Sequence, residues 1–410
     1  MRLLVYSHDT YGLGNIRRML AICEHLLSEI PELTILLLSG SPMLQGFRLP
    51  KGLDYIKLPC LNRGKTGEVA VKYLDMGIEE TIRLRSQLIL SAAINFQPDL
   101  FLVDKKPYGV KNELADTINY FHRELPETKL VLLLRDILDS PEATIAEWQK
   151  NGYYIALEKY YHQVLIVGTL EVFDTVKEYQ FSPILTQKSR YCGYISRNPG
   201  LKSLEIIREE LQVSPQEHLI LVTPGGGEDG YELVEIYLAA LQLLPAANHC
   251  KSLIICGPEM PINQKQLIYQ AANNYPQVQI GEFTDDLMSY IQAADVIVSM
   301  AGYNTVCEIL SANKPAVLIP RCQPSKEQLI RTQAMDKLGL FPAIYPENFN
   351  PNKLKNLLIH QLNNPRIPEF VFSMNGLGNV KYYIHLLLIQ TKCERQINKA
   401  NRTLTLAMSK

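Results

Sequence analysis

The chain has 410 residues, with 41 lysines and arginines against 42 aspartates and glutamates, for a net charge of −1. That length is long for a single core, so two domains are the default. The interspersed charge leaves no basic stripe, which argues against nucleic acid as a partner. No apolar run is long enough to span a bilayer, which argues against an integral membrane protein.

Apolar strand-like runs alternate with helical patterns along the chain, the signature of parallel α/β architecture. In the first half the strands are expected at Leu3–Ser7, Thr34–Ser39, Tyr55–Leu58, Leu100–Val103, Leu130–Leu134 and Gln163–Val167, with helices at Asn15–Glu29 and Ile78–Phe96. A polar, turn-rich stretch, Cys192-Gly-Tyr-Ile-Ser-Arg-Asn-Pro-Gly200, separates these from a fresh series of strands starting at Leu219. The expected division is 1–195, 196–380, and a terminal helix with tail at 381–410, the basic stretch after Lys392 being read as frayed. The N-terminus enters a strand directly, so no signal peptide is expected. The eight scattered cysteines form no Cys-x-x-Cys pair and are read as reduced core residues. A cytoplasmic protein follows as the expectation, with peripheral contact at the inner face of the membrane left open.

Two glycine units stand out in the second half. The strand His218–Thr223 runs into Pro224-Gly-Gly-Gly-Glu-Asp-Gly230, four glycines in six positions, followed by a helical pattern. Backbone without β-carbons can approach a ligand closely, and a simple turn needs only one or two glycines. Neither a Walker loop nor the dinucleotide fingerprint fits this spacing. The second unit is Val296-Ile-Val-Ser-Met-Ala-Gly-Tyr-Asn-Thr-Val-Cys-Glu308, a strand, a glycine turn and a helix opening at Asn304 or Thr305. Free N–H groups at such a helix start favour phosphate, and Glu308 one turn inside can reach a ribose. Between them lie a strand ending at Gly257-Pro258, and Gly281-Glu-Phe-Thr-Asp-Asp286, in which Asp285 or Asp286 reads as a helix cap rather than a metal motif.

These segments, with Pro320-Arg321 and Glu327-Gln328, resemble the donor half of GT-B glycosyltransferases, most closely the bacterial family related to the MurG transferase of lipid II synthesis. Tyr6-Ser-His-Asp-Thr-Tyr-Gly-Leu-Gly-Asn-Ile-Arg-Arg18 resembles the acceptor-side loop of that family. The resemblance implies two Rossmann-like, doubly wound parallel-sheet domains facing a central cleft, with a terminal helix packing back on the first. It implies an inverting, metal-independent transferase that takes a nucleotide-diphosphate sugar, such as UDP-N-acetylglucosamine, to a hydroxyl acceptor. Beyond the nucleotide sugar and its UDP product no cofactor is expected. Donor residues are then Gly225, Gly226, Gly227, Gly257, Phe283, Gly302, Tyr303, Asn304, Thr305 and Glu308. Arg321 would neutralise the leaving diphosphate, and Glu327 and Gln328 would hold the donor sugar.

On the acceptor side the expected contacts are Gly14, Asn15, Arg17, Asp104, Arg135 and Asp136, at strand ends or helix starts facing the cleft. Arg17 and Arg18 open a helix against its dipole, which suits an anionic ligand or merely a solvated first turn. Family members commonly carry Gly-x-Gly-His where this chain has Gly14-Asn15. Asparagine cannot act as a base, so that role falls to His8, with Asp9 orienting it. The other reading of these two is a capping aspartate and a buried, hydrogen-bonded histidine. Two alternatives remain: a nucleotide-sugar-binding protein without catalysis, and a UDP-sugar 2-epimerase-like enzyme of the same fold.

Overall fold

The computed structural model describes residues 1–8, 14–64, 68–245, 249–365 and 372–408. Fourteen strands are described: β1 Arg2–Tyr6, β2 Thr34–Ser39, β3 Leu53–Lys57, β4 Leu61–Arg63, β5 Val69–Val71, β6 Leu100–Asp104, β7 Lys129–Arg135, β8 Gln163–Val167, β9 Ser189–Tyr191, β10 His218–Thr223, β11 Cys250–Ile255, β12 Val278–Gly281, β13 Val296–Ser299 and β14 Ala316–Leu318. Seven build a parallel sheet in the order β3-β2-β1-β6-β7-β8-β9. Five build a second parallel sheet in the order β12-β11-β10-β13-β14. The β4–β5 hairpin, which the sequence pattern does not reveal, lies apart from both.

The composition of the strands explains the parallel pairing. Leu3 to Tyr6 and Val131 to Leu134 are wholly buried, as are Ile220 to Val222 and Val296 to Val298. Strands covered by helices on both faces read as continuous apolar runs, and such strands are found in parallel sheets. Each sheet starts in its middle, winds outward one way, and returns to wind the other way. The reversal falls between β1 and β6 in the first sheet and between β10 and β13 in the second. Ligands of open α/β sheets bind outside the carboxyl ends of the strands at that point. Both domains thus present their binding edges to the same cleft.

The last helix, Gly376–Met408, packs against the helix Gly14–Glu29 and against β6, β7 and β8 of the first sheet. The tail expected to fray after Lys392 is helical through Met408. Its anchors are charge pairs to the first domain, Lys129 with Glu394 at 2.7 Å and Arg395 with Asp99, which local composition does not foretell. Among the described residues no helix is long and apolar enough to cross a membrane.

Candidate active-site cleft

The cleft has a volume of about 400 Å³ and is walled by both sets of strand ends. On the second-domain wall, β10 runs into Gly225–Gly227 and β11 into Gly257. Gly225, Gly227 and Gly257 have φ of +80°, +93° and +90°, the left-handed region that favours glycine. Gly227 and Gly257 are required by each other. A β-carbon on Gly227 would lie 2.2 Å from the Cys256 carbonyl oxygen, and one on Gly257 would lie 2.4 Å from that of Gly226. Gly226 and Gly302 differ in kind. The first would meet only Glu259 Oε2 at 3.6 Å and the second nothing within 4 Å, yet both line the cleft. Packing does not demand glycine there, so the open space in front of them is available to a ligand.

Gly302 is the N-cap of the helix Tyr303–Ala312, one residue earlier than the sequence suggests, and offers no capping side chain. The first-turn N–H groups therefore face the cleft beside Asn304 and Thr305. Phe283, 42% exposed, lies on the same wall. Asp286 caps the helix Leu287–Ala293 through the Ser289 N–H, a structural role. No group of three or more His, Cys, Asp or Glu side chains that could hold a metal ion occurs among the described residues.

The charged residues named from the sequence are largely engaged with one another across the cleft. Arg17 donates to Glu308 Oε1 at 2.6 Å, and Asn304 Nδ2 donates to the Gly14 carbonyl at 2.7 Å. Arg135 pairs with Glu327 at 2.6 Å, and Glu327 also accepts from Arg331 at 2.9 Å. Burial pushes the Glu327 carboxyl up, but the pull of Arg135 and Arg331 outweighs it and holds the group at about 2. Arg321 turns toward Asp229, 2.7 Å away, and its N–H donates to Gln328 Oε1 at 3.3 Å. Tyr303 is buried, stacked on Tyr194, with the Arg18 and Arg331 guanidiniums near its ring faces.

Three expected acceptor-side residues lie beneath the cleft wall rather than on it. Asp104, 1% exposed, takes the buried Arg18 at 2.7 Å, which accounts for an arginine in the first turn of a helix. Asp136 is fully buried between Arg331 at 3.3 Å and the Tyr194 hydroxyl. Both stand at strand ends, but their carboxylates meet buried arginines rather than the open cleft.

His8 is the third. It is 4% exposed, its N–H donates to Asp104 Oδ2 at 3.3 Å, and Nδ1 has no partner among the described residues. Burial, then Lys105 and Lys106, lowers its imidazole well below the usual histidine range. Asn15 donates to the His8 carbonyl at 2.6 Å and accepts from Arg18, so its amide braces this loop. Asp9 lies outside the described residues. Because His8 is neutral in the fold, the unfolded chain alone takes up that proton, so stability falls as pH drops below about 6.5. A His8→Gln variant is expected to lose less stability between about pH 7 and pH 5 than the parent chain in urea melts.

Several cleft-lining groups were given no role from the sequence: Lys105, Lys106, Asp139, Glu147 and Trp148. The first two could have been found, since they follow a strand-ending aspartate at the sheet's reversal point. Glu147 and Trp148 sit on the helix Pro141–Lys150, whose approach to the cleft is a tertiary fact.

Both domains, the winding of their sheets and the shared cleft define the GT-B glycosyltransferase fold. Residues 219–369 match the glycosyltransferase family 28 C-terminal domain. A UDP-N-acetylglucosamine–N-acetylmuramyl-(pentapeptide) pyrophosphoryl-undecaprenol N-acetylglucosamine transferase of Hydrogenovibrio crunogenus is 33% identical over 121 residues, which spans 30% of this chain and 32% of that one. Among solved structures, MurG of Acinetobacter baumannii matches over 94% of this chain and 98% of its own, with TM-score 0.56 and 14% identity. An Anabaena protein in complex with UDP-glucose matches over 98% of this chain and all of its own, with TM-score 0.55 and 12% identity. The chain has the GT-B glycosyltransferase fold, and its second domain is similar in sequence to the family 28 C-terminal domain.

Proposed function

We propose that this protein moves a sugar from a UDP-sugar to a hydroxyl acceptor, inverting the anomeric centre and using no metal ion. The observation that carries this reading is the pair of bare glycines, Gly226 and Gly302, facing one cleft beside an uncapped helix start. Backbone N–H groups with the positive end of a dipole behind them suit a diphosphate. The Anabaena neighbour, solved with UDP-glucose, supports a nucleotide sugar as the ligand.

In this reading the diphosphate lies on Gly225–Gly227 and the helix start at Gly302, and Thr305 and Glu308 receive the nucleoside. As the anomeric bond breaks, negative charge grows on the leaving oxygen. The helix dipole and Arg321, released from Asp229, stabilise it in the place a metal would otherwise take. The acceptor enters along the first-domain wall, opposite the donor wall. Its oxygen then attacks from the face away from the leaving group, which inverts the centre. The relative from Hydrogenovibrio has a pyrophosphoryl-undecaprenol acceptor by its name; a lipid-linked acceptor here would bring the protein to a membrane surface.

A panel of UDP-sugars tests the donor. The right one at a hundred times its dissociation constant should stabilise the fold by about 2.7 kcal/mol, and UDP should then be released when an acceptor is present. Binding without release from any acceptor would favour the second reading, a nucleotide-sugar-binding protein without catalysis. What supports that reading is the bracing role of Asn15 and the burial of His8.

Glu308 offers a finer test. One carboxylate oxygen holds Arg17, while the other is buried without a partner among the described residues. Glu308 is fully buried behind the cleft lining, so a ribose hydroxyl would reach this oxygen as Arg17 moves aside and would form a charge-assisted bond. Glu308→Ala is expected to weaken UDP binding by about 1.5–3 kcal/mol and to leave inorganic diphosphate almost unaffected in calorimetry. Equal losses for both ligands would mark a general defect of the helix instead.

A further inference from the structure

If the chain is the transferase proposed above, its acceptor needs a base, and the described cleft narrows the choice. On the donor wall Asp229 is held by Arg321, and Glu228 and Glu259 flank the glycine loops proposed to take the phosphates. Glu327, held at about 2 by its two arginines, is too weak a base to be useful near neutrality. Glu147 is paired with Lys106, and Asp139 Oδ1 accepts from the Ser140 and Lys326 N–H groups. His8 lies beneath the wall.

Lys105 differs from all of these. It lines the cleft directly after β6, at the reversal point of the first sheet, and its ammonium has no hydrogen bond or ion pair with any described residue. Its backbone is held at φ +69°, with the N–H bonded to the Leu133 carbonyl. A lysine seldom adopts that conformation, which is maintained here at the point where ligands of such sheets bind. We propose that Lys105, as the neutral amine, takes the proton from the acceptor hydroxyl.

The surroundings support this role. Partial burial, then Arg135 and Lys106, lowers the amine to about 8 against the opposing pull of Glu327 and Asp104. A base poised near the working pH combines a usable neutral fraction with enough basicity. In the step itself the acceptor O–H bond breaks and its proton passes to Nζ. The oxygen's electron pair forms the new bond to the anomeric carbon. The bond from that carbon to the diphosphate breaks, and its pair leaves with UDP. Arg135 and Lys106 disfavour the resulting ammonium, which returns its proton to water and regenerates the amine.

The test compares UDP release by the full chain with Lys105→Gly and Lys105→Arg. The glycine variant removes the amine and relaxes the positive φ, so folding is not put at risk. The arginine variant keeps the charge but cannot give up a proton. Both should turn over about 10²–10⁴-fold more slowly with UDP affinity unchanged, and both should lose the rise in rate through about pH 8. Added methylamine should restore part of the activity of Lys105→Gly and none of that of Lys105→Arg. Full activity in Lys105→Arg would reduce the residue to a bound charge and overturn the proposal, as would an unchanged rate in Lys105→Gly. A parent chain that binds UDP-sugar yet transfers to no acceptor would instead remove the transferase reading itself, and this proposal with it.

Discussion

Gly226→Val should abolish UDP binding while leaving the fold intact. A β-carbon at this position meets only the end of Glu259, at an ordinary contact distance, and the residue needs no left-handed backbone. The added isopropyl group would stand in the cleft, where the phosphates are proposed to lie. Losing two charge-assisted bonds at about 1.5–3 kcal/mol each corresponds to roughly a hundredfold or greater loss of affinity. Calorimetry with UDP, beside a melting curve, reads both halves. Gly227→Val is the control, since its β-carbon would fall 2.2 Å from the Cys256 carbonyl oxygen and should lower the melting temperature outright. Unchanged UDP affinity in Gly226→Val would remove the phosphate site from this loop.

Arg331→Met should be among the most destabilising single changes in the molecule. Arg331 is fully buried, donates to Asp136 and Glu327, and reaches the Ala301 carbonyl at 3.1 Å. Methionine fills the volume but leaves the Asp136 charge buried with only the neutral Ile137 N–H and Tyr194 hydroxyl to satisfy it. Breaking a buried pair in this way costs about 3–5 kcal/mol. A pH signature accompanies the loss. In the parent chain the depressed Glu327 carboxyl contributes stability that is present above its ordinary value of about 4.3. That contribution is lost as the pH falls toward the folded value of about 2. Without Arg331 the folded value rises toward the ordinary one, so the cost of the substitution should shrink as the pH falls from about 4.3 toward 2. Denaturant melts at two pH values check it; a variant with the parent's midpoint at both would show that the pair contributes nothing.

The fold could be read from the sequence because its determinants are local. Continuous apolar runs marked the buried strands, and glycine punctuation marked where β10 and β13 end. The glycines alone could not reveal which of them serve packing. Gly227 and Gly257 hold two loops in backbone contact, whereas Gly226 and Gly302 face empty space, and only coordinates separate the two. Charged residues were the least legible. Arg17 meets Glu308 and Arg135 meets Glu327 across intervals of 291 and 192 residues, and nothing near either member announces the other. Asp104 and Asp136 had the strand-end position expected of ligand contacts, but each meets a buried arginine instead, Arg18 and Arg331. Lys105, one residue past Asp104, is turned outward by a backbone conformation that sequence does not signal for a lysine.

The chain crosses between the two domains twice, and the crossings lie side by side. Ile195 bridges Asn375 in antiparallel fashion, the Tyr194 N–H donates to the Ser373 carbonyl, and the Gly376 N–H donates to that of Tyr194. A β-carbon on Gly193 would press on Ser373, and one on Gly376 would press on Tyr194, so the two strands lie at the closest spacing their backbones allow. Mechanically this is a two-leaf hinge with a single pin. Each crossing restrains the other from sliding or twisting. The two domains are therefore joined along one line, near residues 193–195 and 373–376, rather than at two separated points. That common line, with the Arg17–Glu308 and Arg135–Glu327 pairs across the cleft, sets the glycine loops and Lys105 in one register.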